Sequence, residues 1–328
     1  MAILDRNHLR QQAAQKLDAA PNRGKLVLLF VCVTAALSLA AGIVSMVLDG
    51  QIAETGGLGG MQLRSTLTTI QTMLNIALFA FVPFWDLGYT SVVLKLGRGE
   101  EAKEKDLLGG FRRFGPALRL MLLRQVVNFA LVFVAVQLAS IVFSFTPWAT
   151  PFYQQLESTG LIDAVTEMDE AAMDSLVSAM IPYWIITIVI YVAALIPVTY
   201  RLRMAEYRIM DEPKCGALMA LLQSNRMMKG NCIGLLKLDL SYWWYYLAYI
   251  LVPLLCYGDV LLPLVGIELP FDPTVSFFLF YVLAQGAQIL FFWRCRNQVE
   301  CTYVQAYDTL KAAMELPAQP PKNIPWNY

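Results

Sequence analysis

Six apolar stretches alternate with short polar segments along the chain, at roughly 25–48, 69–96, 118–146, 176–200, 232–256 and 274–296. Each reaches the ~20 residues that carry an α-helix across the hydrocarbon core of a bilayer. Helices are the economical way to cross, because lipid offers backbone N–H and C=O groups no water to bond. The pattern predicts an all-α, polytopic membrane protein with six transmembrane helices. They form a single transmembrane domain over residues 1–315, and a Pro-rich cytoplasmic tail over 316–328 follows it. Composition agrees: 57% of residues are hydrophobic and only 15% charged, where soluble domains carry about 25%.

The polar segments repeat a layout. A short amphipathic stretch leads into a basic turn containing Gly or Asn, and then into a span. The first is Leu9, Ala13 and Leu17 before Asn22-Arg23-Gly24-Lys25. The second is Leu107, Leu108, Phe111 and Phe114 before Gly115-Pro116. The third is Leu218, Leu221, Leu222 and Met228 before Lys229-Gly230-Asn231. Spacings of three and four residues set each apolar group on one helical face. The reading is three units, each of an interfacial helix plus two spans.

Charge orients the spans. Threaded through a bilayer, the chain places 24 of its 25 Lys and Arg on one side, with only Arg64 opposite. The other side carries 11 acids, six of them in the long third loop between Glu157 and Asp174. The positive-inside rule puts both termini in the cytoplasm, and the expected location is the inner (plasma) membrane. Arg112, Arg113, Arg226 and Lys229 then face the anionic leaflet as lipid contacts. The third loop is expected to hold a short surface helix near 161–174. Its acids lack the order of a calcium-binding loop, so no metal or other cofactor is expected.

One histidine, His8, argues against a Ser-His-Asp triad or a His proton shuttle. The six cysteines form no CxxC pair and read as reduced thiols. Nucleotide-binding, zinc-protease and serine-hydrolase motifs do not occur in a fitting context. The basic segments lack the aromatic spacing of a nucleic-acid domain, so nucleic acid is not an expected partner. A membrane enzyme is therefore not the expected class.

Charges inside the spans remain. Asp86, Arg124 and Asp239 each lie nine residues from a basic or Gly-containing turn, at Lys95, Gly115 and Gly230. At 1.5 Å per residue this is about 13 Å from the end of each span. The three are expected to form an intramembrane charge cluster with Arg124 between two carboxylates. Two readings stay open. One is a proton- or cation-coupled site; the other is an ion pair that fixes helix register, or side chains that snorkel to the interface. Asn75, Asn128, Gln285 and Gln288 are expected to bond between helices. Trp243, Trp244 and Tyr246 suggest either an apolar groove for a lipid or a packed helix seam.

The stretch Ser224-Asn225-Arg226-Met227-Met228-Lys229-Gly230, followed by Leu238-Asp239-Leu240-Ser241-Tyr242-Trp243, resembles the signature of an uncharacterised bacterial membrane family, the domain-of-unknown-function family numbered nine hundred and seventy-five. Tyr242 stands where that family usually has Phe. Leu96-Gly97-Arg98-Gly99-Glu100, and Asp106-Leu107-Leu108-Gly109-Gly110-Phe111 after it, resemble the family's Arg-Gly-Glu turn and the Leu- and Phe-rich stretch that follows. Tyr303 to Leu310 resembles its closing segment. The resemblance implies a six-pass membrane protein and no particular reaction. Three basic amphipathic segments favour a non-enzymatic accessory or scaffold component that organises a partner complex or lipids at the cytoplasmic face. A transporter or carrier using the charged layer is the alternative.

Overall fold

A computed structural model describes residues 4–54, 61–158, 170–258, 261–262, 266, 270 and 273–315. The described residues are helical, with no strand among them. In chain order the helices are α1 (Arg6–Ala19), α2 (Arg23–Glu54), α3 (Met61–Arg98), a 3-10 turn (Glu104–Leu108) and α4 (Gly109–Arg112). After these come α5 (Phe114–Ser144), α6 (Ala149–Ser158), α7 (Glu170–Leu202), α8 (Met204–Asp211), α9 (Ala217–Met228), α10 (Cys232–Ser241) and α11 (Trp243–Leu254). A second 3-10 turn (Leu255–Tyr257) and α12 (Pro273–Glu315) close the order. The tail over 316–328 and most of the segment near 161–174 lie outside the described residues.

Among the described residues, five helical segments are long and apolar enough to cross a membrane: Arg23–Leu48, Gln62–Arg98, Phe114–Ser144, Val177–Asp211 and Val275–Glu315. Their side chains are largely unburied by protein; Ile76 is 62% exposed, Phe129 74% and Ile188 57%. Apolar surface on this scale is what lipid covers. Pro83, Pro182 and Pro197 lie inside continuous helices.

The expected fifth span, 232–256, differs. It is two helices, α10 of 10 residues and α11 of 12. The break falls at Tyr242, whose N–H bonds the carbonyls of Asp239 and Leu240. Hydropathy alone reads straight through this point, because both halves are apolar. Tyr242 is fully buried; its hydroxyl pairs with Thr302 at 3.0 Å, and the Arg10 guanidinium lies 4.7 Å over its ring. These tertiary contacts fix the bend.

The chain divides into two compact units, Met1–Leu118 with Met204–Tyr328, and Arg119–Arg203. In the second, Phe143 is buried edge-on against Phe152 and Tyr183. Tyr191 donates to Asn128 at 2.7 Å, the interhelical bond expected of that Asn.

The first unit has a core at its polar end, built around the last third of α12. α12 runs 43 residues, far beyond the expected 274–296. Its continuation is amphipathic rather than apolar throughout: Val299, Tyr303, Val304, Ala306, Tyr307 and Leu310 are buried against α1, α3, α8 and α9. The amphipathic stretches pack here too. Leu9 and Ala13 of α1 are buried on protein, as are Leu107 of the 3-10 turn and Leu221 and Met228 of α9. Their inner faces therefore meet other helices. Only part of the expected lipid-facing surface stays bare, at Leu108, Phe114, Leu218 and Leu222.

Glycine makes this packing close. A Cβ on Gly88 of α3 would stand 1.7 Å from the Leu107 carbonyl oxygen, and one on Gly110 would stand 2.0 Å from that of Phe84. The two backbones interlock with no room for a side chain. Gly99, at φ +78°, ends α3: its N–H bonds Leu96 O, and the Glu100 N–H bonds Lys95 O at 2.9 Å. This is the doubly bonded glycine stop that closes many helices, and it accounts for the Gly-Arg-Gly-Glu turn.

Candidate functional site

Polar side chains on one end of α12 bond to nearly every helix around them. Asn297 accepts from Tyr89 of α3 at 2.7 Å and donates to the Arg23 carbonyl at 2.8 Å. Glu300 accepts from Tyr207 of α8 at 3.0 Å. Gln305 accepts from Lys16 of α1 at 2.8 Å and donates to the Gly97 carbonyl. Asp308 receives two bonds from Arg98, at 2.7 and 3.2 Å. Lys311 and Tyr307 both donate to Asp211, at 2.7 and 2.9 Å. Arg98 completes the set by donating to the other Asp211 oxygen at 2.7 Å. Buried tyrosine hydroxyls and carboxylates need such partners, so the seam locks α12 in one register.

Asp86 pairs with Arg296 at 3.4 Å. The Arg296 guanidinium also lies 4.6 and 4.8 Å over the rings of Phe30 and Tyr89, and its Nε is buried without a hydrogen-bond partner. The Asp86 side chain keeps 51% of its surface exposed. Asp239 accepts from Tyr303 and Tyr246. Arg124 stands on α5, in the second unit. Asp86 and Asp239 each meet a side chain of α12, Arg296 and Tyr303. Nothing in the spacing of the chain singles out Arg296, one of several bases near the end of the last span. Nor does spacing relate Arg98, Asp211, Asp308 and Lys311, which lie in segments far apart in the chain.

Trp244 and Tyr245 pack against Phe291 of α12, with ring centroids 6.1 and 5.8 Å apart. Trp243 is 61% exposed, and Tyr246 belongs to the Asp239 group. Arg112, Arg226 and Lys229 are exposed, whereas Arg113 donates to the Ile209 carbonyl.

Asp106 anchors the 3-10 turn. It accepts the Lys103 N–H at 2.8 Å and the Lys95 ammonium at 2.9 Å. Burial works to raise its pKa, but the Lys103 N–H and Lys95 outweigh burial, so the carboxyl titrates below its ordinary value. A lowered folded-state pKa means that ionised Asp106 stabilises the fold above the ordinary carboxyl range of about 4. That contribution is lost as pH falls through the lowered value. The wild type should therefore lose part of its denaturation midpoint on acidification, and Asp106→Asn should already lack that part at neutral pH. The gap between the two should close in acid. A constant gap across the titration would show that Asp106 does not act through its charge.

Among the described residues, no group of three or more His, Cys, Asp or Glu is placed to hold a metal ion. A family model described as "Protein of unknown function (DUF975)" matches residues 1–299. No curated protein and no solved structure matches the chain. The residues that carry the family likeness now have places. Ser224 and Met228 are buried, Gly230 closes α9 at φ +83°, and Tyr242 forms the break.

Proposed function

The chain belongs to the DUF975 family of unknown function, and from that premise we propose a non-enzymatic multi-pass membrane protein. It acts as an accessory or scaffold component, organising lipids and a membrane partner at the cytoplasmic face. The carrying observation is α9. Its inner face, Ala220, Leu221, Ser224 and Met228, is buried in the first unit, while Leu218 and Leu222 are 60% and 48% exposed beside the exposed Arg226 and Lys229. Bare apolar side chains next to cations are what anionic lipid recruits.

In this reading the chain crosses six times, with both termini inside the cell. The fifth crossing is the short apolar helix Trp243–Tyr257, about 22 Å long at 1.5 Å per residue and short enough to require local thinning of the bilayer. α1, the 3-10 turn with α4, and α9 each precede a pair of crossings. The polar end of α12 packs against α1 and α9, and the 3-10 turn with α4 packs against α3.

The half-exposed Asp86 beside Arg296 is the observation that favours the second reading, a carrier. Purification from native membranes in mild detergent separates the two. A stoichiometric protein partner, or tightly held anionic lipid, is the expected result. A lone, lipid-free protein that moves solute into proteoliposomes, and stops doing so as Asp86→Asn, overturns it in favour of the carrier.

A further inference from the structure

A cavity of about 340 Å³ opens at the polar end of the first unit, between α3, the 3-10 turn, α4 and α8. Its wall carries four bases: Lys95 and Arg98 from α3, Arg112 at the end of α4, and Arg113 directly after it. Three carboxylates, Glu100, Asp106 and Asp211, share that wall. The geometry points to this cavity as a binding site for a phosphate-bearing anion, presented as a lipid headgroup or free in solution. The inference rests on the lipid-engaging reading of the cytoplasmic face and narrows it from a surface to one pocket.

Two of the three carboxylates are already matched. Asp106 is held by Lys95 and the Lys103 N–H. Asp211 accepts from Tyr307 and Lys311, both on α12 and outside the cavity wall, as well as from Arg98. Arg98 is itself shared with Asp308. These contacts fix the floor of the pocket in place. Glu100 is the remaining acid in the wall against Arg112 and Arg113, and the Arg112 charge also acts on Asp106. Arg113 bonds the neutral Ile209 carbonyl, which orients its guanidinium and leaves its charge unmatched by that bond. Arg112 is exposed at the rim. Two guanidinium forks suit tetrahedral phosphate oxygens, which accept paired N–H bonds. The volume is at the lower end of small-ligand pockets, enough for a phosphate with a small substituent. Leu108 and Phe114, which bracket α4 in the chain, are 49% and 53% exposed. They offer apolar surface beside the pocket, where the acyl part of a lipid would lie.

The test uses the full chain in detergent and in nanodiscs of phosphatidylcholine, alone or in equal mixture with phosphatidylglycerol. Native mass spectrometry reads retained lipid, and a thermal shift reads stabilisation by inorganic phosphate. The wild type is expected to retain one phosphatidylglycerol. Arg112→Gln with Arg113→Gln is expected to weaken retention by about tenfold or more, as loss of charge-assisted bonds implies. Arg226→Gln with Lys229→Gln, on the α9 face and outside the pocket, is expected to reduce loosely associated lipid and to leave the single retained lipid in place. Arg112→Gln alone, at an exposed position, keeps the test valid if the double variant does not fold. Stabilisation by inorganic phosphate that the pocket variants lose, without lipid retention, assigns the site to a soluble anion. Equal loss in both pairs of variants overturns the pocket and leaves the lipid-engaging face standing. No loss in either pair overturns both.

Discussion

Replacing Gly88 by Ala is expected to cost the first unit about 3 kcal/mol or more, or to stop it folding, because the atom that blocks the new methyl is backbone. Adding a methyl to a packed core costs about 1–3 kcal/mol when side chains can shift. Here the added Cβ would stand 1.7 Å from the Leu107 carbonyl oxygen, so the 3-10 turn must move as a whole. That turn also carries Asp106 and its bond to Lys95. Ala favours a helix over Gly by about 1 kcal/mol, which falls short of the clash. Gly110→Ala should behave alike, because its Cβ would meet the Phe84 carbonyl from the other side of the same contact. Gly115→Ala is the control, since nothing lies within 4 Å of its added methyl. Thermal unfolding in detergent checks all three. A Gly88→Ala midpoint equal to that of Gly115→Ala would disprove the interlock.

The second large effect belongs to Asp211. Asp211→Ala removes the acceptor of Arg98, Lys311 and Tyr307 together. Removing one partner of a buried ion pair costs about 3–5 kcal/mol. The lower end is expected here, because Arg98 keeps Asp308 and Lys311 keeps Glu212. Asp308→Ala should cost clearly less. Asp308 is 30% exposed against 10% for Asp211, and Arg98 would still hold Asp211. Chemical denaturation of the two variants supplies the comparison. Equal losses would mean that Asp211 is not the centre of the seam.

Much of this architecture is legible in the chain, and the reasons differ by feature. Long apolar runs must become helices in lipid, so five of the six expected spans are present as helices of sufficient length. Gly99 and Gly230 sit where φ is positive, which local sequence signals well. The site is less legible. The Asp86–Arg296 pair joins residues 210 positions apart, and no spacing rule relates them. The expected layer of Asp86, Arg124 and Asp239 rested on depth counted from turns. Depth by itself names no partner, whereas Arg296 beside Asp86 and Tyr303 beside Asp239 come into view only in the fold.

The sequence by itself determined the all-helical class, the apolar spans and the gathering of basic residues into the segments between alternate spans. All three follow from solvation, which acts on each segment regardless of its neighbours. Tertiary structure alone decided that residues 232–256 bend at Tyr242, that α12 continues past its span into a core, and that Arg98, Asp211, Asp308 and Lys311 meet. Those outcomes depend on which side chain finds a partner across the fold. A hydroxyl, a guanidinium or a glycine carries no record of that partner until the helices pack.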